Sequence, residues 1–228
     1  MSHPLTSELE AGLAALDLAL EKSVQARLLA YLDLLARWNR SYNLTAVRKP
    51  RQMLVRHLFD SLVIRPYLAG ERILDVGTGA GLPGIPLALV CPGRSFTLLD
   101  SNGKKTRFVT QAVAELGLAN VTVVQSRVEA YAVEAGFDTI VSRAYATLAE
   151  FAGGVAHLLA PGGQLLAMKG VYPVTELAQL ADLATPFRLA RNVELRVPGL
   201  EAERNLLILR RDEQPARPGP GRTRNEFC

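Results

Sequence analysis

The stretch Ile-Leu-Asp-Val-Gly-Thr-Gly-Ala-Gly, residues 73–81, decides the fold. Its first four residues predict a short buried strand, and the glycines that follow predict a tight turn into a helix. Glycine adopts positive φ angles easily and lets a ligand approach the backbone closely. In a doubly wound sheet, the first strand, turn and helix form the crevice that binds a nucleotide-containing cofactor. The stretch therefore predicts an α/β domain with a cofactor site at this turn.

Strands and helices alternate on the C-terminal side of the turn, which predicts a parallel sheet covered on both faces. The last two strands are joined by only Pro198-Gly199-Leu200-Glu201 and predict a terminal antiparallel hairpin. The expected fold is therefore a doubly wound, Rossmann-like α/β domain with a seven-stranded mixed sheet. The predicted strands are 72–76, 95–99, 121–125, 138–142, 164–168, 188–197 and 204–210, and the helices between them are 84–91, 103–117, 147–159 and 174–184.

On the N-terminal side of the turn, the sequence predicts helices at 7–17, 24–42 and 50–68. In the second helix, apolar residues follow the i, i+3, i+4, i+7 rule, and Trp38 continues this stripe as a core residue; the stripe is Val24, Leu28, Tyr31, Leu32 and Leu35. The apolar line of the third helix is Leu54, Leu58 and Leu62. Three parts are predicted: a basic helical extension at 1–69, a cofactor-binding domain at 70–211, and a disordered Pro- and Gly-rich tail at 212–228.

The composition of the 228 residues excludes several classes of protein. With 49% hydrophobic and 21% charged residues, the chain is expected to fold throughout most of its length. No apolar run approaches the roughly 20 residues of a membrane span, and the N-terminus has no secretory pattern, so a cytoplasmic protein is expected. Two cysteines are too few for a disulfide framework or a Cys-rich zinc site.

Positive charge is concentrated in two parts of the chain. The net charge is +4 overall, but the segment from Arg37 to Arg65 holds seven basic residues and one acid, Asp60, for a local +6. Arginines are also frequent after residue 209. Such clusters favour a polyanionic partner because basic groups dominate contacts to phosphate, although a solvated helix face has the same composition.

The identity of the cofactor rests on the residues around the turn. Asp100 ends the second strand 19 residues after Gly81, where a carboxylate can accept hydrogen bonds from ribose hydroxyls. The run from Gly79 to Gly84 also fits the dinucleotide pattern G-x-G-x-x-G. However, Asp75, two residues before the first glycine, resembles motif I of S-adenosylmethionine-dependent methyltransferases. Pro83 also removes an N–H that a pyrophosphate would use. S-adenosylmethionine is therefore the favoured cofactor.

The segment after the fourth strand reads Ser142-Arg143-Ala144-Tyr145 and narrows the choice of methyl acceptor. It lacks the N/D-P-P-Y/F pattern of enzymes that methylate exocyclic base amines. No cysteine lies where pyrimidine C5 methylation needs a nucleophile, and no carboxylate cluster suggests a metal. Guanine N7 is an acceptor on an exposed base edge and attacks a methyl group without losing a proton, so it fits what remains. Methylation of a small molecule or a protein, or a non-enzymatic dinucleotide-binding role, stays open.

The sequence resembles the RsmG (glucose-inhibited division protein B) family, class I S-adenosylmethionine-dependent enzymes that methylate a guanine N7 in bacterial 16S ribosomal RNA. The resemblance covers roughly residues 24–210 and is carried by Trp38–Arg48, Val55–Ser61, Leu74–Pro86, Leu98–Ser101, Gln125–Glu129, Ser142–Ala144 and Ala167–Gly170. The chain departs from the family at Asn205, where a histidine is usual.

The resemblance implies roles for individual residues. S-adenosylmethionine, which leaves as S-adenosylhomocysteine, is expected to contact Asp75, Gly77, Gly79, Gly81, Leu82, Asp100, Val128, Glu129 and Arg143. Arg143 is expected at the methyl-transfer end as the catalytic residue. From charge and position rather than from the resemblance, the ribosomal RNA or small ribosomal subunit particle is expected to contact Arg40, Asn43, Arg48, Arg56, His57 and Lys169, with a turn or a solvated charge as the open alternative. Apart from the resemblance, helix spacing allows Asp60 to pair with Arg56 or His57, and an ordinary polar face or a helix-packing network is the open alternative. No metal, no membrane contact and a monomer are expected.

Overall fold

A seven-stranded sheet forms the centre of the protein, as predicted. The computed structural model describes residues 3–143, 147–182 and 187–212. The strand order is β3-β2-β1-β4-β5-β7-β6, in which β1 to β5 are parallel and β7 lies antiparallel between β5 and β6. The strands are β1 (Arg72–Val76), β2 (Ser95–Asp100), β3 (Val121–Gln125), β4 (Phe137–Arg143), β5 (Leu159–Lys169), β6 (Phe187–Glu194) and β7 (Asn205–Arg211).

Two strands differ from the prediction by more than one residue at an end. β5 starts at Leu159, five residues early, because Leu159 pairs with Phe137 of β4 across a shift in register. The terminal hairpin has a longer connection than expected because β6 ends at Glu194, although the Leu195 N–H still donates to the Arg204 carbonyl at 2.7 Å. Pairing with a neighbouring strand, rather than local composition, decides these ends.

Helices cover both faces of the sheet and are α5 (Gly84–Val90), α6 (Gly103–Leu116), α7 (Leu148–Val155) and α8 (Val174–Asp182). Their ends have chemical causes: the Asn102 side chain accepts the Lys104 N–H at the start of α6, and Gly117 ends that helix at φ +60°. Thr147 and Glu150 form a reciprocal capping box on α7.

The N-terminal helices are α1 (Thr6–Ala15) and α2 (Lys22–Tyr42), followed by a third helical stretch that is not uniform. This stretch consists of α3 (Pro50–Met53), a π-helical segment (Leu54–Phe59) and α4 (Asp60–Leu62), and a 3₁₀ turn follows at Arg65–Tyr67. Leu54, Leu58 and Leu62 are buried as the periodicity predicts. A π turn inserts an extra residue and changes which side chains face inward, a change that apolar spacing does not reveal.

The N-terminal helices pack against one face of the sheet. Leu28 and Leu35 of α2 belong to the same buried cluster as Ile73 of β1 and Phe108 of α6, whereas Leu74 faces the cluster on the opposite side. Trp38 is partly buried against this cluster and meets Phe108 edge-on, with 5.6 Å between ring centres. In the part of the chain that the structure describes, no helix has the length and apolarity needed to cross a membrane.

Candidate active site

The glycine turn lies at the carboxyl end of β1, where the strand order reverses between β1 and β4. The amides of Gly77 and Thr78 both donate to the Leu99 carbonyl of β2, at 2.8 and 3.1 Å. From the other side, the buried Tyr31 hydroxyl of α2 donates to the Ala80 carbonyl at 2.7 Å. The turn is therefore held between the sheet and the N-terminal helices.

The glycines of the turn have two different functions. Gly77 and Gly79 adopt φ angles of +68° and +62°, and a Cβ at either position would meet nothing closer than 3.9 Å. A Cβ on Gly81 would lie 2.5 Å from Ile85 Cδ1, and one on Gly84 would lie 2.1 Å from Leu98 Cδ2. The first pair thus leaves space for a ligand, whereas the second pair permits close packing of α5 on the sheet.

Asp75 supports the turn from beneath and is fully buried. Its Oδ2 accepts hydrogen bonds from the Thr78 hydroxyl at 2.7 Å and the Gly84 amide at 2.8 Å, while Oδ1 has no hydrogen-bond partner among the described residues. Burial raises the pKa of Asp75 to about 6, although these two hydrogen bonds oppose the rise. In this structure, Asp75 organises the backbone of the turn.

A cleft opens beside the turn and contains four of the predicted cofactor residues: Gly77, Asp100, Val128 and Glu129. Val76, Leu99, Ser101, Ser126 and Arg127 complete its lining. The cleft thus combines an apolar wall with carboxylates that can accept hydrogen bonds from the hydroxyl and amino groups of an adenosine. Ser126 and Arg127 were not singled out by the sequence analysis, although both lie in the Gln125–Glu129 string that carries the resemblance.

Asp100 is positioned by two backbone amides. Its Oδ2 accepts the Gly79 amide at 2.9 Å and its Oδ1 accepts the Asn102 amide at 2.8 Å. Lys105 Nζ lies 3.7 Å from Oδ2. Because a carboxylate offers about four lone-pair sites, two remain for further donors.

Gly81 and Leu82 lie in the interior, with Leu82 packed in the cluster shared with α2. Both were predicted to contact the cofactor. Neither lines the described cleft, and together with Asp75 they form the layer that supports it.

Arg143 ends β4 next to the turn and contacts the N-terminal helices. Its Nη1 donates to the Arg56 carbonyl at 3.1 Å and to Asp60 Oδ2 at 3.4 Å. Asp60 Oδ1 accepts a second arginine, Arg204 Nε, at 2.8 Å. Asp60 therefore pairs between elements rather than with Arg56 or His57 along its helix, which agrees with the alternative of a helix-packing network.

Four of the residues predicted to contact RNA are on the surface. Arg40, Asn43, Arg48 and Arg56 are exposed, and Arg48 Nη2 donates to Asn43 Oδ1 at 3.0 Å. Asn43 has a left-handed backbone, with φ at 49°, and ends α2. These residues, here called the basic edge, lie at the end of α2, before α3 and in the π-helical segment, where the Arg56 carbonyl accepts from Arg143 Nη1.

Two other predicted RNA contacts need correction. His57 is 4% exposed, its Nε2 lies 3.0 Å from Thr45 Oγ1, and burial together with the charge of Arg143 lowers its pKa to about 4. The ring is therefore part of the interior and is not presented to RNA. Lys169 is mostly buried and donates to both carboxylate oxygens of Glu176, at 3.1 and 2.8 Å, so its charge is already compensated.

Some predictions fall outside the described residues. Ala144 and Tyr145 belong to this group, and so does all of the predicted tail except Asp212.

Comparison with known proteins agrees with this arrangement. Residues 24–207 match the model of the family described as GidB, rRNA small subunit methyltransferase G. A protein of that name from Laribacter hongkongensis is 54% identical over 205 residues, which cover 90% of this chain and 98% of the relative. One from Salmonella paratyphi B is 48% identical over 206 residues, with 90% and 98% coverage.

Solved structures support the fold alone. A SAM-dependent methyltransferase from Aquifex aeolicus is 19% identical with a TM-score of 0.54, and the match covers 69% of this chain and 92% of that one. The glycopeptide N-methyltransferase MtfA gives a TM-score of 0.56 at 15% identity, with 72% and 100% coverage. Because the family model and the relatives extend over most of the chain, the protein belongs to the GidB family, rRNA small subunit methyltransferase G.

Proposed function

We propose that this protein transfers the methyl group of S-adenosylmethionine to N7 of a guanine in the 16S ribosomal RNA of the small subunit. The observation that carries the proposal is the open glycine turn with its adjoining cleft, in a chain of this family that also exposes the basic edge.

The cleft residues fit the cofactor. Gly77 and Gly79 leave room for close approach to the backbone, and the two free lone-pair sites of Asp100 are available to ribose hydroxyls. Val128 supplies an apolar contact for the adenine, and the exposed carboxylate of Glu129 lies at the same end of the cleft.

The chemistry requires alignment more than proton transfer. S-adenosylmethionine supplies an electrophilic sulfonium methyl group, and the lone pair of guanine N7 accepts it as the C–S bond breaks, without loss of a proton from N7. The protein therefore has to bring two bound partners into line and balance the charge that moves between them. Arg143, at the end of β4 and beside the turn, is the residue that we assign to the acceptor side.

The basic edge supplies the RNA contact. Arg40, Arg48 and Arg56 are exposed, the backbone of Arg56 contacts Arg143, and such basic groups bind phosphate without regard to sequence. The partner is ribosomal RNA or the assembling small subunit, which places the protein in the cytoplasm, where we expect it to act as a monomer.

The test is methyl transfer from tritiated S-adenosylmethionine to 16S ribosomal RNA and to small-subunit particles, followed by nucleoside analysis. We expect the label in N7-methylguanosine, with Asp100→Ala greatly reduced. Label in another nucleoside, in ribosomal protein, or in neither substrate would refute the assignment.

A further inference from the structure

Asp60, Arg143 and Arg204 form a cluster, here called the Asp60 clamp, that joins three separate parts of the chain. Asp60 begins α4, Arg143 ends β4, and Arg204 immediately precedes β7. The Asp60 side chain is 5% exposed, whereas those of Arg143 and Arg204 are 24% and 23% exposed. A buried carboxylate therefore holds two arginines that still reach the surface.

The charge of the clamp is unbalanced. Two guanidinium groups share one carboxylate, which leaves a net charge of +1. Arg143 Nη1 also donates to the Arg56 carbonyl, and Arg204 Nη1 donates to the Glu203 carbonyl at 2.7 Å. Among the described residues, Nη2 of neither arginine makes a hydrogen bond. Some N–H groups of each arginine thus fix its position, and the N–H groups on Nη2 remain for an external acceptor.

The position of the clamp matches the proposed acceptor side. Arg143 follows β4, the strand next to β1 and its glycine turn. A Cβ on Gly170, directly after β5, would lie 3.9 Å from Arg204 Nη1, and the Asn205 side chain donates to the Gly170 carbonyl at 2.9 Å. The clamp therefore lies at the carboxyl edge of the sheet, where ligands of open α/β folds bind.

Arginine is well suited to bind a phosphate because its planar group can donate two parallel hydrogen bonds. A free arginine must lose side-chain freedom before it does so, and an arginine held by a buried carboxylate has already lost it. We propose that Asp60 is a positioning residue that fixes Arg143 and Arg204 as one preorganised site for a phosphodiester of the RNA substrate. This inference rests on the proposed function and adds a residue that does not itself contact the substrate.

Asp60→Asn distinguishes positioning from simple charge compensation because the two roles predict effects on different quantities. If Asp60 only compensates charge, its neutralisation raises the local charge from +1 to +2. RNA then binds more tightly with a steeper salt dependence, and the rate at saturating RNA does not change. If Asp60 positions the arginines, we expect the single-turnover rate at saturating RNA and cofactor to fall at least tenfold, even where RNA affinity is kept or increased.

Glu8→Gln is the matched control. Glu8 pairs with the exposed Arg51 at 2.8 Å, so the variant also removes one negative charge from beside the basic segment but leaves the clamp intact. We expect its single-turnover rate to equal that of the unaltered protein. A rate loss in Glu8→Gln as large as in Asp60→Asn would overturn the positioning role.

Two further variants keep the test decisive if Asp60→Asn does not fold. Asp60→Glu keeps the charge and moves the carboxylate by one methylene, so a tenfold rate loss supports positioning and an unchanged rate overturns it. Arg204→Lys keeps the charge without the planar group and should show a similar loss. The double variant Asp60→Glu/Arg204→Lys should then be no more than threefold worse than the poorer single variant, whereas losses that multiply would show independent roles. Absence of methyl transfer by the unaltered protein would instead refute the proposed function, a result distinct from a loss confined to the clamp variants.

Discussion

Replacing Asp75 by Asn should stabilise the protein near neutral pH and remove part of its pH dependence. The carboxyl is fully buried, and burial raises its pKa from the ordinary 3.8 to about 6 in the folded state. Because the folded pKa is raised, the contribution of this group to stability is complete below the unfolded value and is lost as the pH rises through 6. A difference of about 2 pKa units corresponds to about 3 kcal/mol at most. Asparagine has the same shape and no charge, and its oxygen can still accept from Thr78 and Gly84.

The assay is urea unfolding of both proteins, followed by circular dichroism between pH 4 and 8. The stability advantage of Asp75→Asn should be small at pH 4, reach about half of its final value near pH 5, and level off above pH 7. Parallel stability curves for the two proteins would refute the reasoning, because they would mean that Asp75 titrates alike in the folded and unfolded chains. A loss of stability at every pH would show that the ionised form is needed to hold the turn.

Three further predictions concern the surroundings of the turn. Tyr31→Phe removes a buried donor to the turn, so the free energy of unfolding should fall by about 1–2 kcal/mol, and calorimetry should show severalfold weaker cofactor binding. Unchanged cofactor affinity would mean that the turn keeps its shape without α2. Gly77→Ala should lose cofactor binding, while its free energy of unfolding should fall by only about 1 kcal/mol. In Gly84→Ala the new Cβ would lie 2.1 Å from a side-chain atom, so the free energy of unfolding should fall by about 1–3 kcal/mol. Equal destabilisation of the two glycine variants would contradict their separate functions. The amides of Arg72 and Glu71 hold the pKa of Asp138 below its usual value. The stability difference between the unaltered protein and Asp138→Asn should therefore shrink as the pH falls towards 3. A difference that is constant with pH would show that those hydrogen bonds do not favour the ionised form.

The fold could be predicted because its strongest signals are local. The strand at 72–76 and the strand at 121–125 were predicted with their observed bounds, since each is a short apolar or β-branched run between turn residues. The start of β5 and the π-helical segment could not be predicted in the same way. Both depend on a neighbouring element, in one case the register of β4 and in the other the packing of the third helical stretch under the sheet.

The residues of the candidate site that were predicted are those that the ends of the strands bring together. Gly77 and Asp100 each end a strand at the same edge of the sheet, and so they were predicted to lie together. Tyr31 was predicted only as part of an apolar stripe, because nothing in local spacing shows that its hydroxyl reaches the glycine turn. Contacts between residues far apart in the chain need the packing of α2 on the sheet, which one sequence does not reveal.

The charge of the basic segment shows why distribution along a chain is not distribution in space. Counted in sequence, Asp60 merely lowers a sum of seven positive charges to +6. In the structure it is buried, and it binds arginines that lie 83 and 144 residues away in sequence. Burial of a carboxylate has a high desolvation cost unless it is paired, so its position here has to be explained by the arginines that it holds. If Asp60→Asn binds RNA more tightly but transfers methyl groups more slowly, the segment works through the geometry of its charges rather than through their sum.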